Sequence, residues 1–289
     1  MTKVALGVLD SDASMGTAAH IAPLAESVGY QRYWFTEHQP QASPLLPAAL
    51  LLGLTESLRV GTAGILVGYH DVYRVAQDFR FLEQVFPGRV DAGFCGGHVA
   101  DEELEPLRPH KGRPSLGELE ERATTFVGLI RDDLPADHRW AGARQISRGA
   151  SATPWSLGTS EGGARFAAKL GVRYAHSLFH RQSQDRTEAI EQYRAQFRGR
   201  AEDCRVALAV SGVCAATDEE AHRLRTVYRP IFATANIVGG VQQCADRLGQ
   251  LFRRYGMDDL VFIDVCKDFD AKLISYELMA QAARAAFGT

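Results

Sequence analysis

This chain of 289 residues is predicted to fold as a TIM (β/α)8 barrel, an α/β fold. Three observations predict it. Eight short runs read as strands, and each is followed by a helical or irregular stretch, as in a repeated β-then-α unit. The strands are mostly apolar, as strands covered on both faces are. Polar and titratable residues collect just after the strands, on what would be one rim of a closed barrel. A doubly wound open sheet is the structural alternative.

The elements follow in order. Residues 4–9 are the first β-rich run, and a helix from about residue 17 is stopped by Gly29. Residues 32–35 are the second strand, and 45–56 are apolar enough to read as a helix. A long third strand spans 58–67 and contains the small residues Gly61, Ala63 and Gly64. Residues 72–85 have helical apolar spacing and end at the turn signal Pro87-Gly88. The fourth strand is 90–94. The stretch 101–113 is charged and irregular, 116–129 reads as a helix, and 136–153 as loop. Strands at 154–157, 173–178 and 206–215 alternate with helices at 162–170 and 187–197. Thr217-Asp218-Glu219-Glu220 is a capping box that opens the next helix. A helix over 240–255 is stopped by Gly256, and strand 260–265 precedes a terminal helix near 271–287. No repeat or linker divides residues 1–289, which read as one domain.

Composition narrows the function. Apolar residues at 46% and charged residues at 23% are ordinary globular usage. A chain this long buries about three quarters of its unfolded surface and needs no covalent staples. The net charge of −3 leaves no electrostatic footprint for nucleic acid or an anionic membrane. The longest apolar stretch, 45–54, falls short of the ~20 residues of a membrane span. Residues 1–10 lack the pattern of a secretory leader, so a cytoplasmic location is expected. The five cysteines, Cys95, Cys204, Cys214, Cys244 and Cys266, show no C-x-x-C or zinc spacing and read as reduced thiols. His38, His70, His98 and His180 fall on different loops, so no metal site is expected.

The strand ends carry the candidate chemistry. Thr36-Glu37-His38-Gln39 follows the second strand, and Glu37-His38 is the best acid–base candidate there. A hydrogen-bonded structural histidine is the plainer reading of His38. Ala63-Gly64 and then His70 follow the third strand, and Cys95-Gly96-Gly97-His98 the fourth. Cys95 reads either as a reactive thiol or as a small buried hydrophobe. His70 and His98 carry little weight singly. Gly158-Thr159-Ser160-Glu161-Gly162-Gly163 is rich in glycine and hydroxyls and opens a helix, where free N–H groups and the helix dipole favour a phosphate. It reads equally as a plain N-cap. His180 follows the sixth strand.

Several of these stretches, taken in order, resemble the bacterial-luciferase-like flavin oxidoreductases, the luciferase-like monooxygenases. They are Ala25-Glu26, Gly29-Tyr30, Tyr33-Trp34-Phe35-Thr36-Glu37-His38, Leu58-Arg59-Val60-Gly61-Thr62-Ala63-Gly64-Ile65-Leu66 and Phe86-Pro87-Gly88-Arg89-Val90-Asp91-Ala92-Gly93. Leu157-Gly158-Thr159-Ser160, Ala216-Thr217-Asp218-Glu219-Glu220-Ala221 and Ser275-Tyr276-Glu277-Leu278 complete the set, so the resemblance covers nearly the whole chain. It implies a barrel that binds FMN, supplied in reduced form as FMNH2 by a separate flavin reductase. Flavin and O2 then give a flavin C4a-peroxide that oxygenates an organic small molecule. On this resemblance His38 is the catalytic histidine, Glu37 lies beside it near the ring, and Cys95 is a thiol near the flavin. Ala63-Gly64 matches a pair joined by a non-proline cis peptide under the flavin. Gly158, Thr159, Ser160 and Gly163 match the phosphate site.

The chain departs from that pattern. Gln39 stands where many members have a second histidine, and Gly96 where many have an arginine for the flavin phosphate. The chain is shorter than many relatives between Arg223 and Gly240, which implies a shortened connection between strands 7 and 8 and a more open pocket. Two further readings therefore stand beside the FMN monooxygenase: an oxidoreductase that uses deazaflavin F420 for hydride transfer, and a non-catalytic flavin-binding protein. Assembly is readable too. The helix at 45–54 has no polar face, which predicts that its surplus is buried in a homodimer. Ala49 and Leu52 are taken as outward-facing. On the helix 72–85, Val75, Phe79 and Leu82 are expected to face the barrel, with Tyr73, Gln77 and Arg80 forming an outer polar rim. The resemblance points to the same dimer helices.

Overall fold

In the computed structural model, residues 4–11, 14–37, 43–96, 114–143, 149, 151–180, 187–227 and 235–288 are described. The strands are β1 (Ala5–Asp10), β2 (Arg32–Phe35), β3 (Arg59–Thr62), β4 (Ile65–Leu66), β5 (Val90–Cys95), β6 (Thr153–Gly158), β7 (Arg173–Ser177), β8 (Val206–Cys214), β9 (Ile237–Gly239) and β10 (Asp259–Asp264). The helices are α1 (Met15–Ser27), α2 (Leu45–Leu54), α3 (Val72–Val85), α4 (Leu116–Arg131), α5 (Glu161–Leu170), α6 (Glu188–Gln196), α7 (Asp218–Val227), α8 (Val241–Tyr255) and α9 (Phe269–Phe287).

Eight strands pair in parallel around a closed ring, β1-β2-β3-β5-β6-β7-β8-β10. β10 closes it, pairing with β8 through Phe262↔Val210 and with β1 through Val8↔Phe262. This is the TIM barrel expected. The short β4 and β9 lie on β5 and β8 outside the ring path. The connection 228–234, where the shortened link between the seventh and eighth barrel strands is expected, lies outside the described residues.

Alternation along the strands sorts side chains into two layers. Leu9, Trp34, Trp155, Ala175, Ala207, Ala209 and Val261 form a compact inner cluster. The intervening positions, such as Val8, Tyr33, Phe35, Val60 and Phe262, pack outward in the large cluster shared with the helices. The helices have local reasons to start where they do. The Asp71 carboxylate accepts from the Tyr73 and Arg74 N–H groups at the start of α3, and Ser115 and Glu118 form a reciprocal capping box on α4.

Three expectations need correction. The strand at 58–67 is not continuous. It breaks after Thr62 and resumes as β4, because the backbone turns at Ala63-Gly64 beneath β5. The outer polar rim of α3 does not form. Gln77 and Arg80 are buried, and Arg80 Nη1 donates to the Leu129 and Ile130 carbonyls at 3.0 and 3.1 Å, satisfying the end of α4. On α2, Leu52 is buried rather than outward. The exposed stripe is Leu46, Leu50 and Leu54, one turn apart.

At the end of β10 the Asp264 side chain points into the outer layer and is almost fully buried. Oδ1 accepts from the Cys266 N–H at 2.8 Å, while Oδ2 has no partner among the described residues. Burial pushes the carboxyl up to about 7, against the opposing pull of Ser275, the Cys266 N–H and Lys272. A folded-state value raised above the unfolded one means the native state holds a proton the unfolded chain has lost. This contribution to stability is therefore present below about pH 4 and is lost as pH rises through about 7. Asp264→Asn removes the titration. Thermal unfolding at pH 5 and pH 8 should show the variant gaining a few °C over wild type at the higher pH alone; roughly 2–4 °C corresponds to each kcal/mol in a chain of this size. An equal difference at both pH values would refute the assignment.

Candidate active site

The carboxyl ends of β2, β3 and β5 and the segment β4 build one half of the rim. Glu37, two residues past β2, is buried. Its Oε2 accepts from the Leu66 N–H at 2.8 Å, and its Oε1 lies 2.7 Å from His70 Nε2. The loop that carries His70 is braced along its length. The Val67 N–H donates to the Cys95 carbonyl at 3.3 Å and the Tyr69 N–H to the Leu66 carbonyl at 2.8 Å. Arg122 of α4 donates to the His70 carbonyl at 3.5 Å, and the next residue, Asp71, caps α3.

The Ala63–Gly64 peptide bond is cis. Gly64 sits so close to β5 that a Cβ there would lie 2.8 Å from the Phe94 nitrogen. The Cys95 thiol faces the Gly64 carbonyl, with its sulfur at 3.7 Å. Glu37, His70, Ala63, Gly64 and Cys95 are thus one connected group. His38, which the sequence makes the acid–base candidate, and His98 lie outside the described residues.

The neighbouring strand β6 supplies the second half. Ser160 is the N-cap of α5, and its Oγ accepts from the Gly163 N–H at 3.2 Å. Of the two hydroxyl residues that could cap the helix, Ser160 does so. Thr159 is half-buried, and no described residue pairs with its hydroxyl. A Cβ at Gly162 or Gly163 would meet only Ser160 Oγ, at 3.9 and 3.6 Å, so the helix start faces open space. Glu161, in the first turn, is turned toward α6, where it accepts from Gln192 at 2.9 Å. Arg165, one turn further on, donates to Gln192 at 2.8 Å and lies 3.6 Å from Glu161. A hydroxyl pair, open glycines and a helix N-terminus fit a phosphate; no basic side chain stands at Gly96.

Further round the rim, His180 Nδ1 lies 2.7 Å from Ser177 Oγ, and its ring stacks on Phe179 at 4.6 Å. A surface cleft of about 680 Å³ runs beside α5 and α6, lined by Arg165, Phe166, Lys169, Phe197 and Arg198 among others. It contains none of the rim imidazole, thiol or buried carboxylate groups.

Sequence reasoning missed the pairing of His70 with Glu37. The signal available was the position of His70 one residue before a helix-capping aspartate, in the loop after Ala63-Gly64.

Residues 2–251 match the model of the family described as luciferase-like monooxygenase. The chain belongs to that family. This luciferase-like chain is 30% identical to the uncharacterized protein YceB of Bacillus subtilis over 72% of its own length and 65% of that protein's. It is 25% identical to the N-acetyl-S-alkylcysteine monooxygenase of the same organism, over 92% of this chain and 91% of that one. Among solved structures, apo-MsnO8 superposes with a TM-score of 0.82 at 25% identity, covering 97% of this chain and 98% of that one. An F420-dependent secondary alcohol dehydrogenase (TM-score 0.74, 98% of this chain and 99% of that one) shares the fold at 15% identity. So does the FMN complex of the oxygenating component of 3,6-diketocamphane monooxygenase from Pseudomonas putida (TM-score 0.73, 98% of each chain).

In this luciferase-like barrel the α5 cap is directly testable. Ser160→Ala should lower stability in urea by roughly 1 kcal/mol, and Ser160→Asn should restore most of it. Equal stability of all three proteins would show that the cap contributes nothing.

Proposed function

We propose that this chain is a flavin-dependent monooxygenase that uses reduced FMN and O2 to oxygenate an organic small molecule. What carries the reading is the juxtaposition on adjacent strands of two groups. Glu37, Ala63, Gly64 and Cys95 sit at the ends of β2 to β5, and a phosphate-compatible helix start, Gly158 to Gly163, sits after β6. Reduced flavin, when bound, supplies the electrons that activate O2.

The chain's own residues bind and enclose. Gly158, Thr159, Ser160 and Gly163 would hold the phosphate through N–H groups and hydroxyls, with the dipole of α5 behind them. Ala63 and Gly64 would lie against the ring. Cys95 would stand beside it with Glu37 nearby, and His38 would handle protons. The apolar inner cluster under the rim closes the barrel to water from below. Gly96, where a basic group would serve a flavin phosphate, favours a second reading in which F420 with its different phosphate end is the cofactor for hydride transfer. On the FMN reading a separate flavin reductase would supply the reduced cofactor, and on either reading the enzyme would work in the cytoplasm.

The same chain is proposed to act as a homodimer. Leu46, Leu50 and Leu54 of α2, together with Phe81 and Val85 of the neighbouring α3, are each at least half exposed. They form an apolar surface unusual for a monomer. A two-fold pairing of α2 with its copy would cover it.

Titrating the protein with reduced FMN, riboflavin and F420 before admitting O2 tests the function. Reduced FMN should bind more tightly than riboflavin, and Thr159→Val should cost roughly 10-fold or more in FMN affinity, since one hydrogen bond to a charged group is worth ~1.5–3 kcal/mol. Riboflavin binding as tightly as FMN would remove the phosphate site, and tighter binding of F420 would move the enzyme to the second reading. For assembly, sedimentation at micromolar concentration should give twice the chain mass of 31.7 kDa, and Leu46→Glu with Leu50→Glu should give the single mass. A wild-type protein already at the single mass rules the dimer out.

A further inference from the structure

We propose that His70 is a catalytic proton acceptor of this rim, and that Glu37 is the positioning residue that fixes its tautomer. The proposal rests on the small-molecule oxygenase reading above but assigns a residue that reading does not use.

Three observations carry it. First, the contact between Glu37 Oε1 and His70 Nε2 is 2.7 Å, within the range of a charge-assisted hydrogen bond. A carboxylate only accepts, so Nε2 must carry the hydrogen. Second, the carboxylate itself cannot swing away. The side chain is 2% exposed, and its other oxygen accepts from the Leu66 backbone N–H at 2.8 Å. Third, the opposite nitrogen of the ring, Nδ1, has no hydrogen-bond partner among the described residues, and the His70 side chain is 20% exposed at the rim. With Nε2–H committed to Glu37, Nδ1 presents a lone pair. An imidazole anchored by a carboxylate on one nitrogen and free to accept on the other is the arrangement of a general base.

The step is a proton transfer. An ionisable O–H or N–H group of the bound small molecule breaks its bond to hydrogen, and the Nδ1–H bond forms. The electron pair of the broken bond stays on the substrate atom. The imidazolium that results lies against the Glu37 carboxylate, which stabilises its charge without taking the second proton. The proton leaves Nδ1 again to product or water, and no oxidant or reductant is consumed. The surrounding contacts keep the geometry fixed. Arg122 holds the His70 carbonyl, and the loop between Leu66 and Asp71 is tied to Cys95 and to the start of α3.

The Glu37→Gln variant tests the tautomer in a way that a structural role does not predict. The Leu66 N–H requires an oxygen, so the introduced amide must turn its oxygen there. Its NH2 then faces His70 Nε2. A donor opposite Nε2 forces the hydrogen onto Nδ1, and the acceptor is lost while the contact and the fold remain. Nitrogen-15 spectra of histidine-labelled protein without added cofactor should show His70 as the Nε2–H tautomer in wild type and as the Nδ1–H tautomer in Glu37→Gln. Finding His70 in wild type as the Nδ1–H tautomer, or doubly protonated at the working pH, overturns the proposal whether or not any flavin binds.

The kinetic arm uses His70→Gln, whose amide keeps a donor toward Glu37. Reduced-flavin affinity should change less than about threefold, while kcat falls ~10²-fold or more and KM stays within a few-fold. Glu37→Gln should fall by a similar factor. A His70→Gln protein that binds reduced flavin and turns over like wild type sinks the role of His70 and leaves the oxygenase reading standing. Failure of wild type to bind any reduced flavin removes the oxygenase reading instead, and the tautomer spectra then decide the Glu37–His70 arrangement alone.

Discussion

A buried arginine at the amino-terminal end of the barrel sets the rest of the molecule. Arg32 opens β2 and is 4% exposed. Its Nη1 lies 2.6 Å from Asp91 of β5, and its Nε lies 2.9 Å from Asp259 of β10. One guanidinium thus spans the barrel between strands that are not neighbours in the ring. Arg59 adds a second cation to Asp91 and Arg205 a second to Asp259, at 2.7 and 2.9 Å. The Trp34 indole N–H donates to Asp91 at 2.9 Å. Burial by itself would raise the Asp91 carboxyl, but the Arg59 and Arg32 guanidiniums hold it well below the usual carboxylate range. Desolvated charges are tolerated only when their partners and hydrogen bonds are complete. This network meets that condition, and it dictates which residues of β2, β5 and β10 share a level.

The levels above follow from that registration. Trp34 and Trp155 meet edge to face with centroids 5.0 Å apart, directly over the charged layer, and the Arg32 guanidinium lies 5.1 Å from the Trp155 ring. Two rings of that size fit because the adjoining strand positions are small. Gly61 and Gly93 permit β3 and β5 an approach in which an added Cβ would collide with the Asp91 and Thr62 carbonyls. The close approach carries on upward to Gly64, which packs against Phe94, and so to the Cys95 thiol and the Glu37 carboxylate. The chemistry at the rim is therefore positioned by a salt-bridge layer several residues below it.

Much of this was readable from residue order, for identifiable reasons. Residues 32–35 and 72–85 have the boundaries the apolar pattern assigns them, the helix being capped by Asp71 and followed by the Pro87-Gly88 turn. The break in 58–67 was not readable, since Ile65 and Leu66 continue the apolar run and the turn is made by the backbone alone. Arg80 misled for a different reason. A charged residue on an amphipathic helix belongs outside unless something buried needs its donors, and the carbonyls at the end of α4 lie 49 and 50 residues further along the chain. That Glu37, Cys95 and Ser160 stand at or just past strand ends was legible because the strand boundaries were. The pairing of His70 with Glu37 was not, because it joins two loops 33 residues apart whose approach depends on β4.

The span of the Arg32 contacts also bears on how the chain is made. Arg32 leaves the ribosome 227 residues before Asp259, and the strand that closes the ring is the last of the described strands. Until β10 emerges, the guanidinium has one carboxylate of its two, and β1 and β8 each present an open edge. A nascent chain in that state cannot seal its interior charge, so the half-barrel stays loosely packed and vulnerable to edge pairing with a neighbour. Completion of the ion network and closure of the last edge are the same event. Pairing of β10 with both β1 and β8 thereby turns an open sheet with two edges into a closed ring that has none.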